Sequence, residues 1–153
     1  MKNHCILAGW CLFFTISPIA AQETGAALLG NPETPVDLVG LALEELYAVF
    51  GAPQKVYAVR GQELWQDDVV FAYQDFDCYI FEDHVWLVSV QAAYGVKIGD
   101  MRKNVREILG EKTYDFLDSL LFELPSGSWE MMMRVNFDSA GKAQAIFIYR
   151  SDM

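Results

Sequence analysis

Cysteine and histidine are the residues of this chain that are best suited to covalent catalysis, and one of each lies near its middle. A Cys78 thiolate with His84 as its base would form the nucleophile of a small hydrolase. Cys78 follows Asp77, however, and a neighbouring carboxylate raises the pKa of a thiol and disfavours the reactive thiolate. We therefore favour a buried structural thiol, and catalysis by Cys78 or by clustered acids stays as an alternative.

Acidic side chains could also do chemistry, as oxygen ligands for a metal ion. They occur close together at Asp67-Asp68, at Asp75 and Asp77, and in the run Glu82-Asp83-His84. Their spacing lacks the glycine and the terminal glutamate of a calcium loop, and adjacent residues of one turn do not converge on one ion. We predict no catalytic residue, no metal site and no cofactor, and we interpret these acids as solvent-facing turn residues.

Two short segments have the apolar spacing of an amphipathic helix. Their stripes are Leu43, Leu46, Tyr47 and Phe50, and Met101, Val105, Ile108 and Leu109. A glycine ends each segment, Gly51 and Gly110, which lie 59 residues apart. Matches at this offset along both segments indicate an internal duplication.

Stretches rich in Val, Tyr, Phe and Trp follow each predicted helix and are separated by polar turns. The predicted strands cover residues 54–60, 68–73, 76–81, 85–91, 116–124, 129–137 and 143–150. We therefore predict an α+β fold in which two tandem helix-then-antiparallel-strands repeats form one sheet with helices on one face. A single domain at 38–153 would contain repeat one, 38–93, and repeat two, 94–153.

Alternation along residues 129–137 assigns side chains to the two faces of that sheet. Trp129, Met131 and Met133 point one way and are expected under the helices. Met132 and Arg134 point the other way and are expected to face water or a partner.

Tyr79 and Phe81 share one face of their strand, and completing the core is the interpretation that we favour for them. Aromatic residues, methionine and arginine are also enriched at protein interfaces. The predicted partner-binding residues are Tyr79, Phe81, Met132 and Arg134.

The N-terminal residues have the layout of a secretory signal. A weakly positive start precedes the apolar run 5–16, and small residues follow, so we expect a signal peptide at 1–21 that is cleaved after Ala21. The apolar run is shorter than the roughly 20 residues that span a bilayer. Retention of the signal as an anchor stays open, and residues 22–37 are predicted to be a flexible leader.

Charge and composition exclude several classes of protein. With Lys+Arg 11 and Asp+Glu 21 the net charge is −10, which disfavours binding to nucleic acid and to anionic lipid. A hydrophobic content of 53% excludes a disordered chain. We expect a monomer without a permanent membrane span, and Cys78 would be the one cysteine left after signal cleavage.

The segment Val39–Pro53, VGLALEELYAVFGAP, resembles the helix-then-Gly-x-Pro opening of the SmpA/OmlA and β-lactamase-inhibitor-protein-like (BLIP-like) tandem-repeat superfamily. Ile98–Gly110 repeats the opening without the proline. This resemblance implies a non-catalytic, exported α+β module that binds other proteins through its sheet and loops.

The leading hypothesis is a non-catalytic protein-binding module of the cell envelope, periplasmic or secreted, whose partner is another envelope or secreted protein. Two alternatives stay open. One is a small exported hydrolase, and the other is a structural envelope protein that self-associates.

Overall fold

The computed structural model describes residues 34–60, 67–110, 113–125 and 129–151. The predicted signal peptide and residues 22–33 of the predicted leader lie outside this range and stay predictions. The remaining leader residues belong to the first described element, a 3-10 turn at Pro35–Leu38. Thr34 donates to the Asp37 carboxylate from its backbone N–H and from its hydroxyl, at 2.9 and 2.8 Å, and these hydrogen bonds close the turn.

Ten strands are present in the described part of the chain. They are β1 Lys55–Val59, β2 Asp68–Ala72, β3 Phe76–Phe81, β4 His84–Val90, β5 Ala92–Ala93, β6 Val96–Lys97, β7 Thr113–Asp115, β8 Ser119–Leu124, β9 Met131–Phe137 and β10 Ala143–Arg150. Eight form one antiparallel sheet with the order β1-β2-β3-β4-β10-β9-β8-β7, and β5 and β6 form a separate ribbon. β10 comes last in chain order, yet it lies in the centre of the sheet between β4 and β9.

Two α-helices of eight residues each precede the two groups of strands. α1 is Leu43–Phe50 and α2 is Arg102–Leu109. Each ends at a glycine, as predicted, because Gly51 and Gly110 adopt φ angles of 71° and 77° that L side chains rarely adopt. None of the helices in the described residues is long and apolar enough to cross a membrane.

The predicted α+β class is wrong, because the described chain is mostly β and only 19% helical. Helices of two turns, each closed by a glycine, leave most of the chain to the sheet. The segments that follow the two helices also differ, since β1 has five residues and β7 has three. The architecture is one eight-stranded antiparallel sheet, and the expectation of two helix-then-strands repeats with helices on one face is a misinterpretation of two local helix signals.

One face of the large sheet contributes the hydrophobic core, and we call it the core face. Side by side on β3, β4, β10 and β9 it presents Cys78, Val88, Ile148 and Met133. All four are fully buried. Leu46 of α1 and Val105 of α2 belong to the same core and are equally buried.

The predicted alternation along β9 is confirmed within the strand and fails before it. Met131 and Met133 are buried, and Met132 between them is half-buried. Trp129 is 54% exposed, so its predicted place in the core is wrong. The strand starts at Met131 and the pleat does not extend back to Trp129, whose ring lies 3.7 Å below the Arg150 guanidinium.

A single side chain of α2 holds the turn between β7 and β8. The Arg102 guanidinium donates to the backbone carbonyls of Leu117 and Ser119 at 2.9 and 3.3 Å, and it also binds the Phe116 carbonyl and the Asp115 carboxylate. These bonds fix the conformation of a loop tip whose Leu117 side chain is 99% exposed.

Candidate functional site

The candidate site is the face of the eight-stranded sheet opposite the core face, and we call it the open face. Cross-strand register places one side chain from each of six neighbouring strands in a single row. From β1 to β9 this row consists of Tyr57, Val70, Tyr79, Leu87, Tyr149 and Met132. At about 4.8 Å between strands, the row is roughly 24 Å long.

A second row runs beside the first, one pleat repeat along the strands. From β3 to β7 it consists of Asp77, Ser89, Phe147, Arg134, Leu121 and Tyr114. The two rows touch where the Tyr79 and Phe147 rings meet edge to face, with centroids 6.3 Å apart and an interplanar angle of 80°. The open face is therefore a continuous surface rich in aromatic and aliphatic side chains.

The exposure of these side chains differs from that of the core face. Tyr79, Tyr149, Phe147 and Met132 are all half-buried, whereas Cys78, Ile148 and Met133 beside them on the core face are fully buried. Large side chains that lie side by side on a sheet cover part of each other's solvent-accessible surface. These four side chains therefore keep part of their surface accessible, whereas Val70, in the first row, is fully covered.

Two carboxylates of the open face are hydrogen-bonded to aromatic donors. The Tyr57 hydroxyl donates to Asp77 at 3.1 Å, and the Trp86 indole N–H donates to Asp68 at 3.0 Å. Burial raises the pKa of Tyr57, and the Asp77 carboxylate raises it further, so the phenol stays protonated as a donor. Burial also raises the pKa of Asp68, against the opposing effect of the Trp86 hydrogen bond.

Two basic side chains of the open face contact neutral groups. The Lys55 ammonium lies 5.0 Å from the centre of the Tyr57 ring at the β1 edge. Arg134 on β9 donates to the Asn136 side-chain oxygen at 2.8 Å. It also lies close enough to Tyr149 to oppose the rise in the pKa of that phenol, which burial causes.

The structure brings together three of the four predicted partner-binding residues. Tyr79 and Met132 lie in the first row, and Arg134 lies in the second. Phe81 is 45% exposed at the end of β3, beside the Glu82-Asp83 turn and outside both rows. The interpretation of Tyr79 and Phe81 as core residues is wrong, because neither belongs to the hydrophobic core. Binding by these four residues stays a prediction.

Sequence reasoning missed several residues of the open face, including Leu87, Phe147 and Tyr149. The signal for them was the composition of β4 and β10, in which aromatic or aliphatic residues occur on both faces. Their convergence with Tyr79 depends on the pairing of β4 with β10, which joins strands from distant parts of the sequence.

The alternative pair Cys78 and His84 does not form a catalytic dyad. Cys78 is fully buried on the core face, whereas His84 is exposed at the start of β4, with its Nδ1 2.9 Å from the Glu82 carbonyl oxygen. Burial, with a further contribution from Asp77, raises the pKa of the Cys78 thiol to about 12. The described residues contain no group of three or more His, Cys, Asp or Glu side chains arranged to hold a metal ion.

A shallow groove of about 550 Å³ lies away from the open face, at the end of α1. Its walls include Leu38, Phe50 and Phe76, and its polar lining includes Asp75 and Gln91. Pockets that bind small molecules combine apolar walls with several convergent polar groups. This groove is mainly an indentation at the margin of the core, so the open face is the better candidate.

Comparison with known proteins gives structural neighbours only. No known protein family model matches the sequence, and a search of curated proteins finds no match. One similar solved structure is an extracellular protein containing an SCP domain from Bacillus anthracis str. Ames, with a TM-score of 0.50 and 13% identity over 86% of this chain and 50% of that one. Another is a cysteine-rich secretory protein from Staphylococcus aureus subsp. aureus Mu50, with a TM-score of 0.48 and 15% identity over 80% of this chain and 46% of that one.

The Bacillus anthracis structure corrects the resemblance inferred from the helix segments. It contains an SCP domain, a different fold family from the SmpA/OmlA and BLIP-like repeats, so that assignment is wrong. Glycine after a short amphipathic helix is common, which explains why the motif misled. The likeness to the Bacillus anthracis protein concerns the fold alone, and this chain spans about half the length of each neighbour.

Proposed function

We propose that this protein is a non-catalytic, exported binding module whose open face binds another protein. One observation carries the proposal. A row of aromatic and aliphatic side chains crosses six strands of the sheet, and the Tyr79–Phe147 contact joins it to a second row that mixes apolar and polar side chains. Contiguous apolar surface of this kind marks interaction sites on soluble proteins.

The composition of the open face suits a polypeptide partner. Tyrosine, methionine and arginine are enriched at protein interfaces, and Tyr149, Met132 and Arg134 are neighbours on β10 and β9. Tyrosine combines a large apolar ring with a hydroxyl that can hydrogen-bond, and it loses little conformational entropy on binding. A rigid sheet also holds these side chains in place before the partner arrives, which lowers the entropic cost of association.

Binding is preferred to catalysis because the groups that could catalyse are apart. The Cys78 thiol lies in the core, and His84 is exposed at the start of β4. Export is supported by the layout of residues 1–21, and the similar structures are of a secretory and an extracellular protein. We propose a periplasmic or secreted location after signal cleavage near Ala21, and a partner from the envelope or the secreted fraction.

Site-specific photo-crosslinking tests the proposal. A photo-reactive amino acid is placed at Met132 on the open face, and a matched one at Lys103 on the exposed surface of α2. Irradiation in an envelope or secreted fraction should give a discrete adduct from position 132 and none from position 103. The captured protein is then purified, and Tyr149→Ser should weaken its binding at least roughly tenfold, the effect of losing an interface hot spot.

Folding controls make the result interpretable. Each crosslinking variant should keep the circular dichroism spectrum and the melting temperature of the parent protein. Identical adducts from positions 132 and 103, or no adduct from position 132 in a folded protein, would contradict the proposed function.

A further inference from the structure

Two carboxylates on β2 and β3 point to the chemistry of the partner, whereas the basic side chains of the open face lie on β1 and β9. We infer that the open face binds an extended, cationic segment that places lysine or arginine over Asp68 and Asp77 and an apolar side chain over the row between them. This inference rests on the proposed function, because it names the kind of polypeptide that the open face would take.

The two carboxylates lie on opposite sides of the first row. Val70 and Tyr79 pair within that row, Asp68 lies two residues from Val70 on β2, and Asp77 lies two residues from Tyr79 on β3. Val70 is fully buried, so the half-buried Tyr79 side chain is the surface that an apolar group would contact. Asp77 pairs with Ala72, which is four residues from Asp68 on the same strand. Four residues of a strand span about 13 Å, so the carboxylates are separated by roughly that distance along the strand direction.

Both carboxylates are oriented and can still accept further hydrogen bonds. Each receives one hydrogen bond from an aromatic side chain, Trp86 for Asp68 and Tyr57 for Asp77. An ionised carboxylate has about four acceptor positions, so each keeps capacity for an ammonium or guanidinium group. The ion pairs of the described residues involve other acids, namely Asp67, Asp115 and Glu107.

The spacing selects an extended ligand over a helical one. In an extended segment the side chains at i, i+2 and i+4 point to the same side and span about 13 Å, whereas four residues of a helix rise only about 6 Å. An extended segment with cations at i and i+4 and an apolar side chain at i+2 therefore matches Asp68, the first row and Asp77 at once. The recognition pattern is cation-x-apolar-x-cation.

Charge also argues against other occupants of the open face. The chain carries Asp+Glu 21 against Lys+Arg 11, so a second copy or an anionic membrane surface would be repelled at long range. A basic partner would be attracted, and the attraction would weaken as salt rises. A cationic polypeptide is thus the occupant that the charge of the protein favours.

Synthetic peptides test the inference directly. The probe is an eleven-residue peptide of serine and threonine with lysine, phenylalanine and lysine at positions i, i+2 and i+4. One control peptide replaces both lysines by glutamate, and a second moves one lysine to i+3, which turns it to the other side. Each peptide is titrated into ¹⁵N-labelled protein at low and at physiological salt, and amide chemical shifts report affinity and location.

The lysine peptide should shift amides of β2, β3, β4 and β10 and bind roughly tenfold more tightly than the glutamate peptide at low salt. The register-shifted peptide should bind less tightly by about threefold. In the protein, Asp68→Asn together with Asp77→Asn keeps oxygen acceptors for Trp86 and Tyr57 but should remove most of the preference for lysine.

Several results would overturn the inference. They are equal binding of the lysine and glutamate peptides, chemical shifts confined to other surfaces, no binding of either peptide, or a preference that survives the double Asn substitution. Dimers at micromolar concentration, or binding to phosphatidylglycerol vesicles through the open face, would assign the face to another occupant. A specific crosslink from position 132 alongside any of the first four results would leave the proposed function standing and remove the cationic pattern alone.

Discussion

The two faces of the large sheet differ in composition and burial although the same strands build both. On β3, Cys78 lies in the core and has no exposed surface, while the next residue, Tyr79, is half-buried in the open face. On β10, Ile148 and Tyr149 repeat the contrast. Hydrophobic content alone does not separate the faces, because both are apolar. The helices that pack over the core face separate them, since Leu46 of α1 and Val105 of α2 belong to its core.

This comparison shows how one sheet can serve stability and binding independently. Small and branched side chains such as Cys78, Val88 and Ile148 fill the closely packed side, where any lost volume leaves a cavity. Aromatic side chains cover the open side and keep part of their surface in water. Substitutions on the first face should therefore act on the free energy of unfolding, and those on the second should act on association.

The largest expected effect comes from two adjacent methionines of β9. Met133→Ala should lower the free energy of unfolding by about 3 kcal/mol, because it leaves a cavity in the core. Met132→Ala on the open face should cost less than about 1 kcal/mol, since the site is half-buried and opens to water. Urea denaturation of both variants measures the difference, and equal losses would break the distinction between the faces.

A second prediction concerns the Cys78 thiol. Burial raises its pKa from 9.0 to about 12, so the unfolded chain loses the thiol proton before the folded protein does. This contribution to stability is complete below pH 9 and falls as pH rises from 9 towards 12. We expect a loss of roughly 2.5 kcal/mol between pH 8 and pH 11 from this group.

Cys78→Ala serves as the control, because its stability should fall less over the same pH interval than that of the parent protein. Iodoacetamide at pH 8 should also modify the denatured protein at least roughly a hundredfold faster than the native one. Rapid alkylation of the native protein would contradict the buried thiol and would favour the hydrolase alternative.

A third, smaller effect is expected at the edge of the sheet. Arg102→Gln removes the guanidinium that binds the carbonyls of the β7–β8 turn, so the free energy of unfolding should fall by about 1–2 kcal/mol. Amide hydrogen exchange should speed up in β7 and β8 before it does in β3 and β4. If hydrogen exchange sped up equally in all strands, the Arg102 hydrogen bonds would support the whole core and not only the β7–β8 turn.

The smallest effect is expected one residue further along α2. Lys103 forms an i,i+4 pair with Glu107 at 3.9 Å, and both side chains are well exposed. Lys103→Ala should change stability by less than about 0.5 kcal/mol in thermal melts at low salt. A larger loss would mean that this surface contributes to folding, and position 103 would then be unsuitable as the crosslinking control.

Local structure could be predicted from the sequence where two signals agreed. β3 and β10 are predicted at their observed bounds, Phe76–Phe81 and Ala143–Arg150, because polar turns bound their alternation. The ends of both helices are predicted by Gly51 and Gly110. β7 is missed because three residues are too few to show alternation, and β5 and β6 are missed for the same reason.

The fold class and the open face could not be predicted in the same way. Strand order is a long-range property, and the sequence does not show that β10 lies beside β4. When both faces of a strand are apolar, alternation does not show which face the helices cover. Tyr79 is therefore predicted in the core, although the core residue of this pair is Cys78. Tyr149 and Phe147 become visible as a site only once their neighbours across the sheet are known.

The central place of β10 has a consequence for how the molecule can be assembled. β1–β4 on one side and β7–β9 on the other are connected within the sheet only through this strand. Neither row of the open face is therefore complete until residues 143–150 have left the ribosome and, for an exported chain, the translocation channel. A C-terminal truncation at residue 142 would remove the middle of the surface and divide it in two, whereas loss of β1 would only shorten its margin.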